Sequence, residues 1–195
     1  DLPSRSLFEH PTYNAWQKAQ TKHVAALVQR KRLRLQQELL AEIDLALCRD
    51  SARIPIPLAQ YAAVAIDPAP IELWRQSRNG SLPIAATMEI EDNRWADLLL
   101  YNLYMSGSNA QRNKIQAIIA DRIPVTYCGM QLEAHAAFAK QSYTEGFRLL
   151  KYLLTEIPEL DTAPILDTLR ETRSADESPF LNFTDVLRHI YRVDK

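Results

Sequence analysis

The sequence predicts a mainly α-helical protein with one or two short β-strands. Residues 12–49 contain neither proline nor glycine, and their apolar residues recur at three-, four- and seven-residue steps, the spacing of one helix face. Two serines, Ser108 and Ser142, stand three residues before Gln111 and Glu145, the pattern of a helix-opening capping box. The strand expectation rests on Ile84, Ala86, Met88 and Ile90, which alternate with Ala85, Thr87, Glu89 and Glu91 as in a strand with one buried face.

Val24, Val28, Leu35, Leu39, Ile43 and Ala46 mark one long helix or a broken pair within an N-terminal segment, residues 1–50. Residues 51–83 hold Pro55, Pro57, Pro68, Pro70, Pro83 and the turn Ser77-Arg78-Asn79-Gly80. They read as connection, with at most a short helix over 70–77. Residues 84–195 form a strand plus a helical core, the whole chain making one compact domain. There the strand at 84–90 leads into a helix from Asp92, whose opening acids suit the positive helix end and whose inner face is Trp95, Leu98, Leu99, Asn102 and Leu103. Gly107 ends it as a left-handed cap. Ser108 opens the next helix, with Ile115, Ile118 and Ile119 inside, and Arg122–Tyr127 is a second candidate strand. Ser142 opens a helix with Phe147, Leu150, Leu153, Leu154 and Ile157 inside, in which Gly146 marks a close approach. Further helices are expected near 163–174 and 179–192. Tryptophans and tyrosines mostly fall on apolar stripes and are assigned to the core.

Composition excludes several functions. The chain has 4 glycines in 195 residues, against roughly 14 at average usage. They are too far apart for a G-x-G-x-x-G turn or a Walker A loop, which need clustered glycines to approach phosphate. Two cysteines, Cys48 and Cys128, make neither a disulfide framework nor a four-cysteine zinc site and suit a reducing, cytoplasmic setting. No apolar run approaches the roughly 18 residues of a spanning helix, and no apolar signal stretch follows Asp1, so no membrane partner is expected. The net charge of -1 conceals a split: residues 1–37 hold seven basic and two acidic residues, while seven carboxylates lie between Glu156 and Glu177.

Catalytic chemistry finds no support. His10, His23, His135 and His189 lack a ligand partner at helical spacing, and His135 sits in an alanine-rich, core-like stretch. Cys128 and His135 lack the third, orienting group of a nucleophilic triad. Glu89 and Glu91 share one strand side, where they are solvated or guard an edge. No enzyme activity, metal or small-molecule cofactor is expected.

The arrangement Ile84–Ile90, Asp92–Met105 and Ser106–Ile119 resembles the ribbon-helix-helix family of DNA-binding transcriptional regulators, here a unit embedded in a larger helical domain. That resemblance implies a homodimer whose paired strands enter the major groove of double-stranded DNA. Ala85, Thr87 and Glu89 would then face base edges, or Arg122 and Thr126 if the second strand forms the ribbon. Ser108, Arg112 and Lys114 would lie near phosphate, and Trp95, Leu99, Ile115 and Ile119 would form the interlocked dimer core. More loosely, Gln20–Arg32, Asp92–Leu100, Pro124-Val-Thr126 and Tyr143–Phe147 are similar to regulatory proteins of conjugative plasmids and integrating conjugative elements, which implies control of conjugative transfer genes. Arg30, Lys31, Arg32 and Arg34 would contact the DNA backbone. The rival expectation is an α-helical adaptor or accessory protein of a transfer or secretion apparatus, acting through protein–protein contacts of the basic helix or the acidic C-terminal segment.

Overall fold

The computed structural model of the chain describes residues 11–172. Its elements are α1 (Pro11–Arg49), a short 3-10 turn (Ser51–Arg53), α2 (Pro55–Ala65), α3 (Ala69–Arg78), α4 (Ile84–Met88), α5 (Asn93–Ser106), α6 (Asn109–Ala120), α7 (Tyr127–Ala139), α8 (Tyr143–Glu156) and α9 (Ala163–Glu171). Among the described residues there is no β-strand. The mainly α expectation holds, and the ribbon of a ribbon-helix-helix unit is absent.

α7 forms the centre, in contact with α1, α5, α6, α8 and α9. A helix with neighbours on most sides is largely apolar: Cys128, Leu132, Ala134, Ala136, Ala137 and Phe138 are buried, and two polar side chains, Gln131 and His135, are buried among them. α5 is the second buried helix, with every residue from Trp95 to Tyr104 inside. α3 and α4 lie on α5, while α1 and α2 form an antiparallel hairpin. Helix starts follow local chemistry. The Asp92 carboxylate accepts from the N–H groups of Arg94 and Trp95, and Ser108 and Gln111 make the reciprocal capping box predicted for them.

Both strand candidates are corrected. Residues 84–88 form α4, a single helical turn started by Pro83 and closed where the Thr87 hydroxyl donates to Ile84 O. Thr87, placed outward by the alternation, is fully buried. Alanine at 85 and 86 fits either period and favours helix, so the alternation had few discriminating residues. Residues 122–126 are unpaired connection, and Thr126 caps α7 by accepting from Gly129 N at 2.9 Å.

Other local expectations also change. α2 replaces the expected connection, because Pro55 stands at its first position, where no intrahelical N–H bond is lost. Ser142 makes no capping bond at α8, and the Glu145 carboxylate pairs with Arg148 in the next turn. Gly107 is extended, not left-handed, at φ -85° and ψ 162°. What it supplies is room, because a Cβ there would stand 2.5 Å from Leu103 O. The helix expected at 179–192 lies outside the described residues.

Gly146 is a close approach of α8 to α7. An added Cβ would stand 2.5 Å from the Phe138 ring, which is fully buried and meets Phe147 edge-on at 5.2 Å. Gly146→Ala is expected to lower the urea-unfolding free energy by about 1–2 kcal/mol, since overpacking outweighs the gain of about 1 kcal/mol in helix propensity. Unchanged or raised stability would refute this account of the glycine.

Candidate interaction surface

α1 is 39 residues long, yet its buried residues are Leu40, Ile43, Asp44, Leu47 and Cys48, all in its last third. α2 folds back along that part. Arg32 donates to Ala65 O at the C-terminus of α2, where the helix dipole favours a cation. Before that point, residues 14–31 are exposed throughout, about 27 Å of helix at 1.5 Å per residue.

This projecting half carries large apolar side chains. Trp16 is 57% exposed, Val24 55%, Leu27 49% and Val28 62%, and Leu35 continues the series. At 100° per residue these positions fall within a stripe about 120° wide, roughly opposite the face that Leu40, Ile43 and Leu47 bury. The apolar series Val24 to Ala46 stays within about 100° of the helix, but only its latter part is covered, so Ile43 enters the core while Val24 and Val28, before the stretch on which α2 packs, face solvent. Trp16 is likewise outside the core, unlike Trp74 and Trp95, which stack near each other with ring centres 6.2 Å apart.

Residues 11–31 include Lys18, Lys22, Arg30 and Lys31 and no carboxylate. These cations do not form one basic face. Lys18 and Lys22 point roughly 100° away from Arg30, and Lys31 lies within the apolar stripe. Arg34 is paired with Glu38 at 2.8 Å, and Arg32 is taken up by α2.

The remaining predicted site residues are scattered. Thr87 and Thr126 are buried, and Arg122 pairs with the buried Asp97 at 3.0 Å. Arg112 donates through Nε to Tyr104 O, while Ser108 and Lys114 are exposed on α6. Trp95, Leu99, Ile115 and Ile119, expected in a dimer core, lie in the chain's own core at 7% exposure or less. Trp95 stacks on Tyr61 at 5.3 Å.

Sequence inspection missed two buried aspartates that fix the approach to α7. Asp44 of α1 accepts from the N–H groups of Tyr127 at 2.7 Å and Cys128 at 2.9 Å. Asp97 of α5 accepts from Val125 N at 3.0 Å and from the Thr126 hydroxyl at 3.3 Å. Burial pushes both carboxyls above their ordinary range, against these hydrogen bonds. Their only sequence signal was a carboxylate set inside an apolar helix face.

The ligand atoms of Asp44, Cys48 and Cys128 lie within 4.8 Å of one another, the one such grouping of potential metal ligands among the described residues. Their bonding capacity is engaged. Cys48 Sγ accepts from Gln131 Nε2 at 3.0 Å, the Cys128 thiol faces Asp44 O at 4.0 Å, and burial raises the Cys128 pKa, favouring the thiol. This reads as a hydrogen-bonded core knot.

No helix among the described residues is long and apolar enough to cross a membrane. Comparison with protein-family models, curated proteins and solved structures found no match.

Proposed function

We propose that this protein is an α-helical adaptor that docks a protein partner of acidic surface through the projecting half of α1. The observation that carries this reading is the run of exposed residues 14–31, with Trp16, Val24, Leu27 and Val28 on one stripe. Most helical stability in proteins comes from tertiary packing, which this half of α1 lacks, and a stripe of exposed large apolar side chains, here interrupted by Gln20 and Lys31, suits an interaction site. An amphipathic helix lying in a groove is a recurring mode of recognition. The partner's chemistry follows from charge. With four cations and no carboxylate over residues 11–31, two copies aligned along this segment repel, whereas an acidic groove is complementary. A DNA-binding role through the same cations is less favoured, because they surround the helix and alternate with apolar side chains.

The test places a photo-crosslinking amino acid at Leu27, on the stripe, and at Gln29, on the other side of the helix. An identified acidic protein should crosslink from position 27 and not from 29. Its affinity for the purified chain should fall with salt and with the double substitution Leu27→Asp, Val28→Asp. The same double variant should change unfolding free energy by less than about 0.5 kcal/mol, the range for exposed sites. Crosslinks only between copies of this chain, salt-dependent binding of duplex DNA that requires Arg30 and Lys31, or marked loss of stability in the double variant would overturn the proposal.

A further inference from the structure

His135 is a polar side chain set into the most enclosed helix of the fold, at 1% exposure. Its Nδ1 lies 2.7 Å from the Thr168 hydroxyl of α9. Its Nε2 is buried and has no hydrogen-bond partner among the described residues. Buried polar atoms are almost always paired, so a ring nitrogen in this position calls for an explanation from its surroundings.

The surroundings are a cavity of about 230 Å³ between α5, α6, α7 and α9, into which His135 opens. The Tyr104 ring covers the imidazole at 4.9 Å, and its hydroxyl is already used by Gln116 Nε2. Arg112 stands beside Tyr104 with its guanidinium carbon 5.6 Å from the ring centre. Its Nε is occupied by Tyr104 O, which fixes the guanidinium plane while the terminal nitrogens make no hydrogen bond among the described residues. Asp167 and Glu171 border the cavity from α9. Asp167 shares its charge with Arg170 at 2.7 Å. The cavity thus has a cation on α6 and carboxylates on α9, with the His135 ring in its wall. It is smaller than the roughly 300–1,000 Å³ of sites for drug-sized ligands.

We propose that this cavity binds a small zwitterionic molecule of free amino-acid type. Its carboxylate meets Arg112 and its ammonium meets Glu171 and Asp167, with the rings of Tyr104 and His135 in the wall between them. The placement of opposite charges on facing helices excludes a simple anion or a simple cation as the best-fitting occupant, since each would leave one wall uncompensated. A nucleotide is excluded by size. The site is independent of the exposed stripe on α1, so either proposal can fail without the other.

The experiment is calorimetric titration of the full chain with each of the twenty free amino acids, with propionate and propylamine as single-charge controls. At least one amino acid should bind, and both controls should bind at least about tenfold more weakly, each lacking one charged contact. Arg112→Gln and Glu171→Gln should each weaken binding by about tenfold or more. Glu171 is exposed, so Glu171→Gln keeps the fold, and its unliganded melting temperature should match that of the unsubstituted chain. No binding by any amino acid, equal binding of a single-charge control, or undiminished binding by Glu171→Gln would overturn the assignment.

Discussion

Acidification is expected to destabilise this protein steeply between pH 6.5 and pH 3, through His135. Burial, reinforced by the positive charge of Arg112, lowers the imidazole pKa from 6.5 to about 3. The groups facing it are Arg112 from α6, Tyr104 from α5, and Thr168, Asp167 and Glu171 from α9. The sign follows from linkage. The folded state binds the proton less tightly than the unfolded chain, so the stability from neutral His135 is fully present above pH 6.5. It is lost as pH falls toward the folded value, by an amount on the order of 4 kcal/mol. Asp44 and Asp97 act in the opposite sense. Their raised pKa values mean that stability is greatest while they are protonated and declines as pH rises from about 3.8 through their folded values. The expected profile of urea-unfolding free energy therefore falls from pH 6.5 downward, with the aspartates partly offsetting the loss near pH 4. His135→Gln should flatten the slope between pH 6.5 and 5. An unchanged slope in that variant would show that another group governs acid sensitivity.

Asp44→Ala is expected to be among the most damaging single substitutions, lowering unfolding free energy by about 2–4 kcal/mol. It strips the acceptor from two N–H groups at the start of the central helix, each charge-assisted bond being worth about 1.5–3 kcal/mol. Relief of the carboxylate's desolvation offsets part of the loss, which is why the figure is below the sum of the two bonds. Asp44→Asn keeps one acceptor oxygen and should lose about half as much. The measurement is equilibrium urea unfolding at pH 7. Equal stability of Asp44→Ala and the unsubstituted chain would mean that α7 needs no cap from α1.

Local signals were legible where one residue type suits one conformation. Ser108 and Gln111 formed their capping box, and Asp92 capped α5. The absence of proline and glycine over residues 12–49 indicated one long helix or a broken pair, and α1 is the single helix. Signals failed where two conformations accept the same residues. Ala85 and Ala86 carry no face preference, so α4 imitated a strand. The prolines at 55 and 57 can interrupt a helix or begin one, and here they begin α2. Ser142 offered the same local pattern as Ser108 yet makes no capping bond, while the Glu145 carboxylate pairs with Arg148.

The sequence alone determined a helical protein with an N-terminal excess of positive charge and no clustered glycines. Those properties depend on composition and on neighbours a few residues apart. Tertiary structure decided which apolar side chains are inside. It drew Trp95, Leu99, Ile115 and Ile119 into the core and left Trp16 and Val28 in solvent, because α2 covers only the latter part of α1. It also joined Asp44 to the start of α7, 83 residues further along the chain, and brought Arg112, His135 and Glu171 to one cavity. Contacts of that span depend on how the helices fold back on one another, which no local period records.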